Sequence, residues 1–115
     1  MPRYLYELAY TPQSWATQVA KPANRIEQVT PAITELGGKV VDAYYAFGEY
    51  DLIVILDMPS NEAMAAFALA VAAGGAVARA RTTPLMTIDE GISALRKAGK
   101  SKYRPAGTRA ASQRK

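Results

Sequence analysis

Apolar and polar positions along this chain switch repeatedly between a period of two and a period near 3.6, and each switch marks an element. Residues 3–10 set Tyr4, Tyr6, Leu8 and Tyr10 against Arg3, Leu5, Glu7 and Ala9, and the β-prone tyrosines predict a half-covered strand. Thr11-Pro12 closes it, and Pro12 opens a short helical turn carrying Trp15 before Pro22 interrupts again. From Ala23 onward Ile26, Val29, Ile33 and Leu36 fall at helical spacing, with Gly37-Gly38 supplying a left-handed stop. Pro31 lies inside that helix. Its missing N–H predicts a kink near Thr30, or a second segment that Thr30 caps.

Two further strands, 39–47 and 51–57, flank Gly48-Glu49-Tyr50, a short connection that predicts an antiparallel hairpin. The run Leu52-Ile53-Val54-Ile55-Leu56 is apolar on both faces, as in a strand covered on both sides. Ser60 then caps a helix with Glu62 in its first turn, after which only Ala, Met, Phe, Leu and Val occur until Gly74. Met64, Phe67, Ala68 and Val71 are spaced to pack on a sheet, leaving Ala65, Ala66, Leu69, Ala72 and Ala73 as a small-residue surface suited to a subunit contact. A fourth strand, 76–86, sets Val77, Arg79, Arg81, Thr83 and Leu85 on one side, with Pro84 indicating an edge. Thr87 to Glu90 reads as a capping box for a last helix running to Gly99.

The order β, α, β, β, α, β plus a C-terminal helix predicts an α+β, ferredoxin-like fold: a four-stranded antiparallel sheet with both helices on one face. The other face is left open, and pairing two such faces in a homodimer or larger assembly is the economical way to cover it.

Composition narrows the chemistry. The 115 residues suit one domain, expected over 1–99 and followed by a basic tail over 100–115. No Cys or His occurs, which excludes disulfides, thiol nucleophiles, Cys or His zinc sites and His- or Cys-held haem. No cofactor and no metal is therefore called for, and proton transfer falls to carboxylates, Tyr and Lys. The tail holds six of the 14 basic residues and no acid, so a net charge of +4 divides into a body of −2 and a tail of +6. Such a tail, with Pro105 and Gly107, reads as flexible and solvated; nucleic acid is the alternative partner, against which stands the lack of any aromatic beyond Tyr103. The stretch 63–78, interrupted by Gly74-Gly75, is too short to span a bilayer, and no leader-like segment opens the chain, so the expectation is a cytoplasmic protein without a membrane partner.

Candidate site residues come from the open face. Placing Leu52, Val54 and Leu56 toward the helices turns Asp51, Ile53, Ile55 and Asp57 away from them, beside Arg3, Leu5, Glu7, Asp42, Tyr44, Arg79, Arg81 and Thr83. Glu7, Tyr44, Asp51, Arg79 and Arg81 are the candidate ligand-binding set. The two arginines stand roughly 7 Å apart along one strand face and could clamp a small anionic or aromatic molecule through a carboxylate or phosphate. The bland alternatives are salt bridges from the arginines to Glu7, Asp42 or Asp51, and Asp51 bonding backbone N–H groups while Gly48 supplies a positive-φ turn. Trp15 serves as a pocket wall or as an anchor for its loop.

Leu36-Gly37-Gly38-Lys39-Val40, then Gly48-Glu49-Tyr50-Asp51, then Asp57 to Ala63 closely resemble the GYD-domain family over residues 3–95, with Glu49 inserted in the Gly-Tyr-Asp signature. The resemblance implies a dimeric α/β-barrel, related in fold to cofactor-free oxygenases, lactone isomerases and small-molecule-sensing regulatory domains. It implies no particular reaction and carries no catalytic residue onto positions here. Two functions follow: a homo-oligomeric small-molecule-binding or scaffolding module, or a cofactor-free oxygenase or isomerase using Tyr44 or Glu7 as acid or base and Arg79 or Arg81 to stabilise an anion.

Overall fold

The computed structural model describes residues 1–107; Arg109, Arg114 and Lys115 of the basic tail lie outside the described residues. The chain divides into two compact units, Met1–Leu85 and Met86–Lys115. The first holds β1 (Arg3–Tyr10), α1 (Pro12–Ala20), α2 (Arg25–Glu35), β2 (Lys39–Tyr45), β3 (Leu52–Asp57), α3 (Asn61–Ala73) and β4 (Val77–Leu85). The strands form one antiparallel sheet in the order β2-β3-β1-β4, the ferredoxin-like arrangement. Among the described residues no helix is long and apolar enough to cross a membrane.

Alternation sorts the sheet into two faces. Tyr4, Tyr6 and Leu8 of β1 and Leu52, Val54 and Leu56 of β3 are buried together with Ile33 of α2 and Met64 and Phe67 of α3. Each such aliphatic side chain contributes about 1.5–3 kcal/mol when fully buried, so this layer holds the unit together. Ala68 and Val71 pack on it, while Leu69 is exposed, as the helical spacing of α3 predicts.

Local chemistry fixes the ends. Asn24 caps α2 by accepting from the N–H groups of Ile26 and Glu27. The helix closes with Gly37 at φ 85°, the Gly37 N–H donating to Thr34 O and the Gly38 N–H to Ile33 O. α2 runs unbroken through Pro31, and the Thr30 hydroxyl donates back to Ile26 O at 2.6 Å instead of capping a second segment. Ser60 caps α3 as expected.

Two β-bulges alter the expected faces. The β2 register steps from Val40 opposite Leu56 to Asp42 opposite Ile55, leaving Val41 as the extra residue. Val40 and Ala43 therefore both pack on the core, while Asp42 and Tyr44 share the opposite face. In β4 the register steps from Ala9 opposite Arg79 to Tyr10 opposite Val77, so Val77 turns to the core and away from the arginines with which strict alternation groups it. β2 and β3 are shorter than predicted, ending at Tyr45 and starting at Leu52.

The second unit contributes α4 (Ile88–Gly99), opened by the expected capping box between Thr87 and Glu90. Ile88, Ile92 and Leu95 are exposed along it.

Candidate functional site

Successive rows cross the open face of the sheet. One contains Lys39, Asp57, Arg3 and Leu85; the next Asp42, Ile55, Leu5 and Thr83; the third Tyr44, Ile53, Glu7 and Arg81; the fourth pairs Ala9 with Arg79. Leu5, Ile53, Ile55 and Thr83 are half-buried at its centre. Charge lies in the rows on either side of Leu5, Ile55 and Thr83. Arg3 Nε and Nη2 donate to the two carboxylate oxygens of Asp57 at 2.8 and 3.2 Å, a bidentate pair. This bond and its charge hold the Asp57 carboxyl below its usual range and raise the Arg3 guanidinium further.

Three of the five expected site residues share one row. Glu7 sits on β1 beside Arg81 on β4, with Arg81 Nε 3.8 Å from Glu7 Oε1. That separation gives an ion pair without a hydrogen bond, so the arginine keeps its donor fork for another acceptor. The Arg81 side chain is 63% exposed against 18% for Glu7, placing the cation outermost. Tyr44 lies in the same row two strands away, its hydroxyl donating to Asp42 Oδ2 at 2.6 Å. The bond to Asp42 and the negative charge behind it raise the phenol above its ordinary value, so Tyr44 is a hydrogen-bond donor at neutral pH rather than a base.

The other two are directed elsewhere. Arg79 donates through Nη2 to the Glu49 carbonyl and lies 5.6 Å from the centre of the Tyr50 ring, so it binds the hairpin loop. Asp51 stands at the end of the sheet. Its N–H donates to Leu8 O, its carbonyl accepts from the Ala46 N–H, and its carboxylate accepts from the Tyr10 N–H at 2.9 Å and from Trp15 Nε1 at 3.2 Å. The Tyr50-Asp51 pair of the signature thus fastens loop to strand and helix: Tyr50 holds Arg79, and Asp51 holds β1 and α1. Gly48 needs no positive φ, and an added Cβ there would meet open space.

Sequence reasoning missed the Trp15–Asp51 bond, although a lone indole N–H in a half-covered helix calls for an acceptor. It also missed Tyr45, whose ring lies 6.4 Å from that of Trp15, and the full exposure of Phe47 beside them.

No curated protein matches this chain. Among solved structures, one titled "crystal structure of FFRP-DM1" matches with a TM-score of 0.50 at 17% identity, covering 75% of this chain and all of the other, which supports the fold. A hypothetical protein, PHS023 from Pyrococcus horikoshii, matches with a TM-score of 0.48 at 17% identity over 76% of this chain and 92% of its own. The family model of the GYD domain matches residues 4–95, the stretch that contains all of the sheet but Arg3, α1 to α3 and most of α4. The chain therefore belongs to the GYD-domain family.

Proposed function

We propose that the domain is a self-associating module in which the open sheet faces of two copies pair and hold a small anionic or aromatic molecule at Arg81, Glu7 and Tyr44. The observation that carries this reading is the pattern of the open face: Leu5, Ile55 and Thr83 half-buried in one row between Arg3–Asp57 on one side and Arg81–Glu7 on the other, with half-buried Ile53 beside Glu7. Apolar centre and charged rim are the anatomy of a protein interface. The loosely held Arg81 supplies the anion contact, and Tyr44, its hydroxyl already donated to Asp42, supplies an exposed neutral ring across the row. An oxygenase or isomerase would need a base in that row; Tyr44 is tuned away from that role, which leaves Glu7, ion-paired to Arg81, as the one carboxylate there.

Sedimentation equilibrium tests the reading. The wild-type chain is expected to sediment as a dimer or larger, and Ile53→Lys, which plants a charge at the centre of the face, as a folded monomer. Native mass spectrometry of gently purified protein should then show an adduct that Arg81→Ala loses. A monomeric wild type, or an Ile53→Lys variant that still dimerises, would overturn the proposal.

A further inference from the structure

The opposite face of the sheet carries a site of its own. Three tyrosines of β1 turn toward the helices. The Tyr4 hydroxyl donates to Asn61 Oδ1 at the start of α3. Burial raises the Tyr10 phenol, and the Arg25 guanidinium beside it acts in the opposite direction. Tyr6 alone is unprovided for: it is 1% exposed, and its hydroxyl has no hydrogen-bond partner among the described residues. Buried polar groups in folded proteins are nearly always bonded, so an orphaned phenol on the central strand calls for an acceptor supplied from elsewhere.

A place for that acceptor exists. Tyr6 lines a cleft of about 350 Å³ between the sheet and the helices α2 and α3, within the size range of small-molecule sites. Its walls are apolar, with Phe67 and Val71 on α3 opposite Val29 on α2. Small residues line it on both helices, Ala32 on α2 and Ala70 on α3. Charge is confined to one part of the lining, where Arg25 and Gln28 stand one helical turn apart, hydrogen-bonded to each other, Arg25 half-buried and Gln28 exposed.

We propose that this cleft binds a small amphipathic acid, with its carboxylate on Arg25, its apolar body between Val29, Phe67 and Val71, and a second oxygen accepting from the Tyr6 hydroxyl. The Tyr6 phenol, pushed up to about 12 by burial, stays protonated throughout the neutral range and acts only as a donor. The cleft lies inside one chain, on the face away from Arg81 and Glu7. It therefore stands whether or not the open faces pair.

The test is an NMR titration of the full-length ¹⁵N-labelled chain with 4-hydroxyphenylacetate, alongside 4-methylphenylacetate, which lacks the far oxygen, and 4-hydroxyphenethyl alcohol, which lacks the carboxylate. Saturable shifts are expected at Val29, Phe67 and Val71 rather than at Leu5, Ile53 and Arg81, with the hydroxy acid binding about tenfold tighter than either analogue. Tyr6→Phe should erase the preference over the methyl acid, Arg25→Gln the preference over the alcohol, and Ala70→Leu all binding. Tyr6→Phe should also melt at or above the wild-type temperature without ligand, because it removes an unpaired buried hydroxyl. No saturation by about 10 mM of any probe, shifts confined to the open face, or an Ala70→Leu chain that binds as before would each overturn the proposal.

Discussion

The two faces of this sheet are made from the same strands with opposite materials. Toward α2 and α3, β1 and β3 present Tyr4, Tyr6, Leu8, Leu52, Val54 and Leu56, all buried, with no charged group among them. Away from the helices the same strands present Arg3, Leu5, Glu7, Ile53, Ile55 and Asp57, where aliphatic residues stay half-buried between charged ones. A sheet face meant only for water would not carry Leu5, Ile53 and Ile55 side by side. The helix face is where the unit spends its hydrophobic stabilisation. The open face is where it keeps contact surface and chemistry.

Truncation is the strongest way to break that comparison. Leu56→Ala on the helix face should cost about 2–5 kcal/mol in chemical denaturation, the range for fully buried leucines. Leu5→Ala on the open face should cost about 1 kcal/mol or less in dilute protein, where copies are apart. At high concentration the Leu5 penalty should grow if the faces pair, since oligomerisation adds to apparent stability.

Gly38 gives the next effect, and it tests how tightly the helix face closes. A Cβ there would lie 2.5 Å from Met58 Sδ, 2.7 Å from the Asp57 carbonyl and 3.0 Å from Ile33 Cγ2. The backbone carbonyl cannot swing aside as a thioether can, so Gly38→Ala should destabilise by about 1–3 kcal/mol. Gly48→Ala, where nothing lies within 4 Å, should melt within experimental error of wild type. The two glycines of the family signature regions thus have opposite physical roles, one a close approach and the other an open turn.

Asp51 joins the two faces at the end of the sheet. Asp51→Asn keeps the shape but gives up the charge that serves the Tyr10 N–H and the Trp15 indole, with an expected loss of about 1–2 kcal/mol. Trp15 is the only tryptophan, so its fluorescence reports the change directly; its emission should shift to the red as the indole loosens. An unchanged spectrum would mean that Asp51 does not anchor the loop.

Much of this was legible in the sequence because alternation is a strict rule within a regular strand. The tyrosine stripe of β1, the Ser60 cap, the packing face of α3 and the capping box of α4 follow from spacing alone. What was not legible came from departures from regularity. The extra residues Val41 and Ala78 change which side a neighbour faces, and nothing in the composition of either strand marks a bulge, so Val77 was grouped with Arg79 and Arg81. Asp51 reads as a strand residue by alternation, but its carboxylate is claimed by a helix 36 positions earlier, a tertiary contact with no local signature. The helix-side cleft was invisible for a similar reason. Its lining comes from α2, α3 and the sheet together, and its orphan hydroxyl belongs to Tyr6 while Asn61 takes the hydroxyl of Tyr4.

The smallest expected effect belongs to the open face and carries its own sign. The Arg3 guanidinium lowers the folded-state pKa of Asp57 beneath its unfolded value, so the pair stabilises the fold above that unfolded value, near pH 4, and the contribution is lost as pH falls through the lower folded value. Thermal melts between pH 6 and pH 3 should therefore show the wild type converging on Asp57→Asn as acid is added. The gap at pH 6 should be small, because the Arg3 side chain is 51% exposed and solvent screens it, and it should shrink further in molar salt. In a face-paired dimer the same row is withdrawn from water, screening falls, and the salt dependence should flatten. Repeating the melts at a concentration where Ile53→Lys is monomeric and the wild type is not would separate the two states, and identical salt slopes would place Arg3 and Asp57 outside any interface.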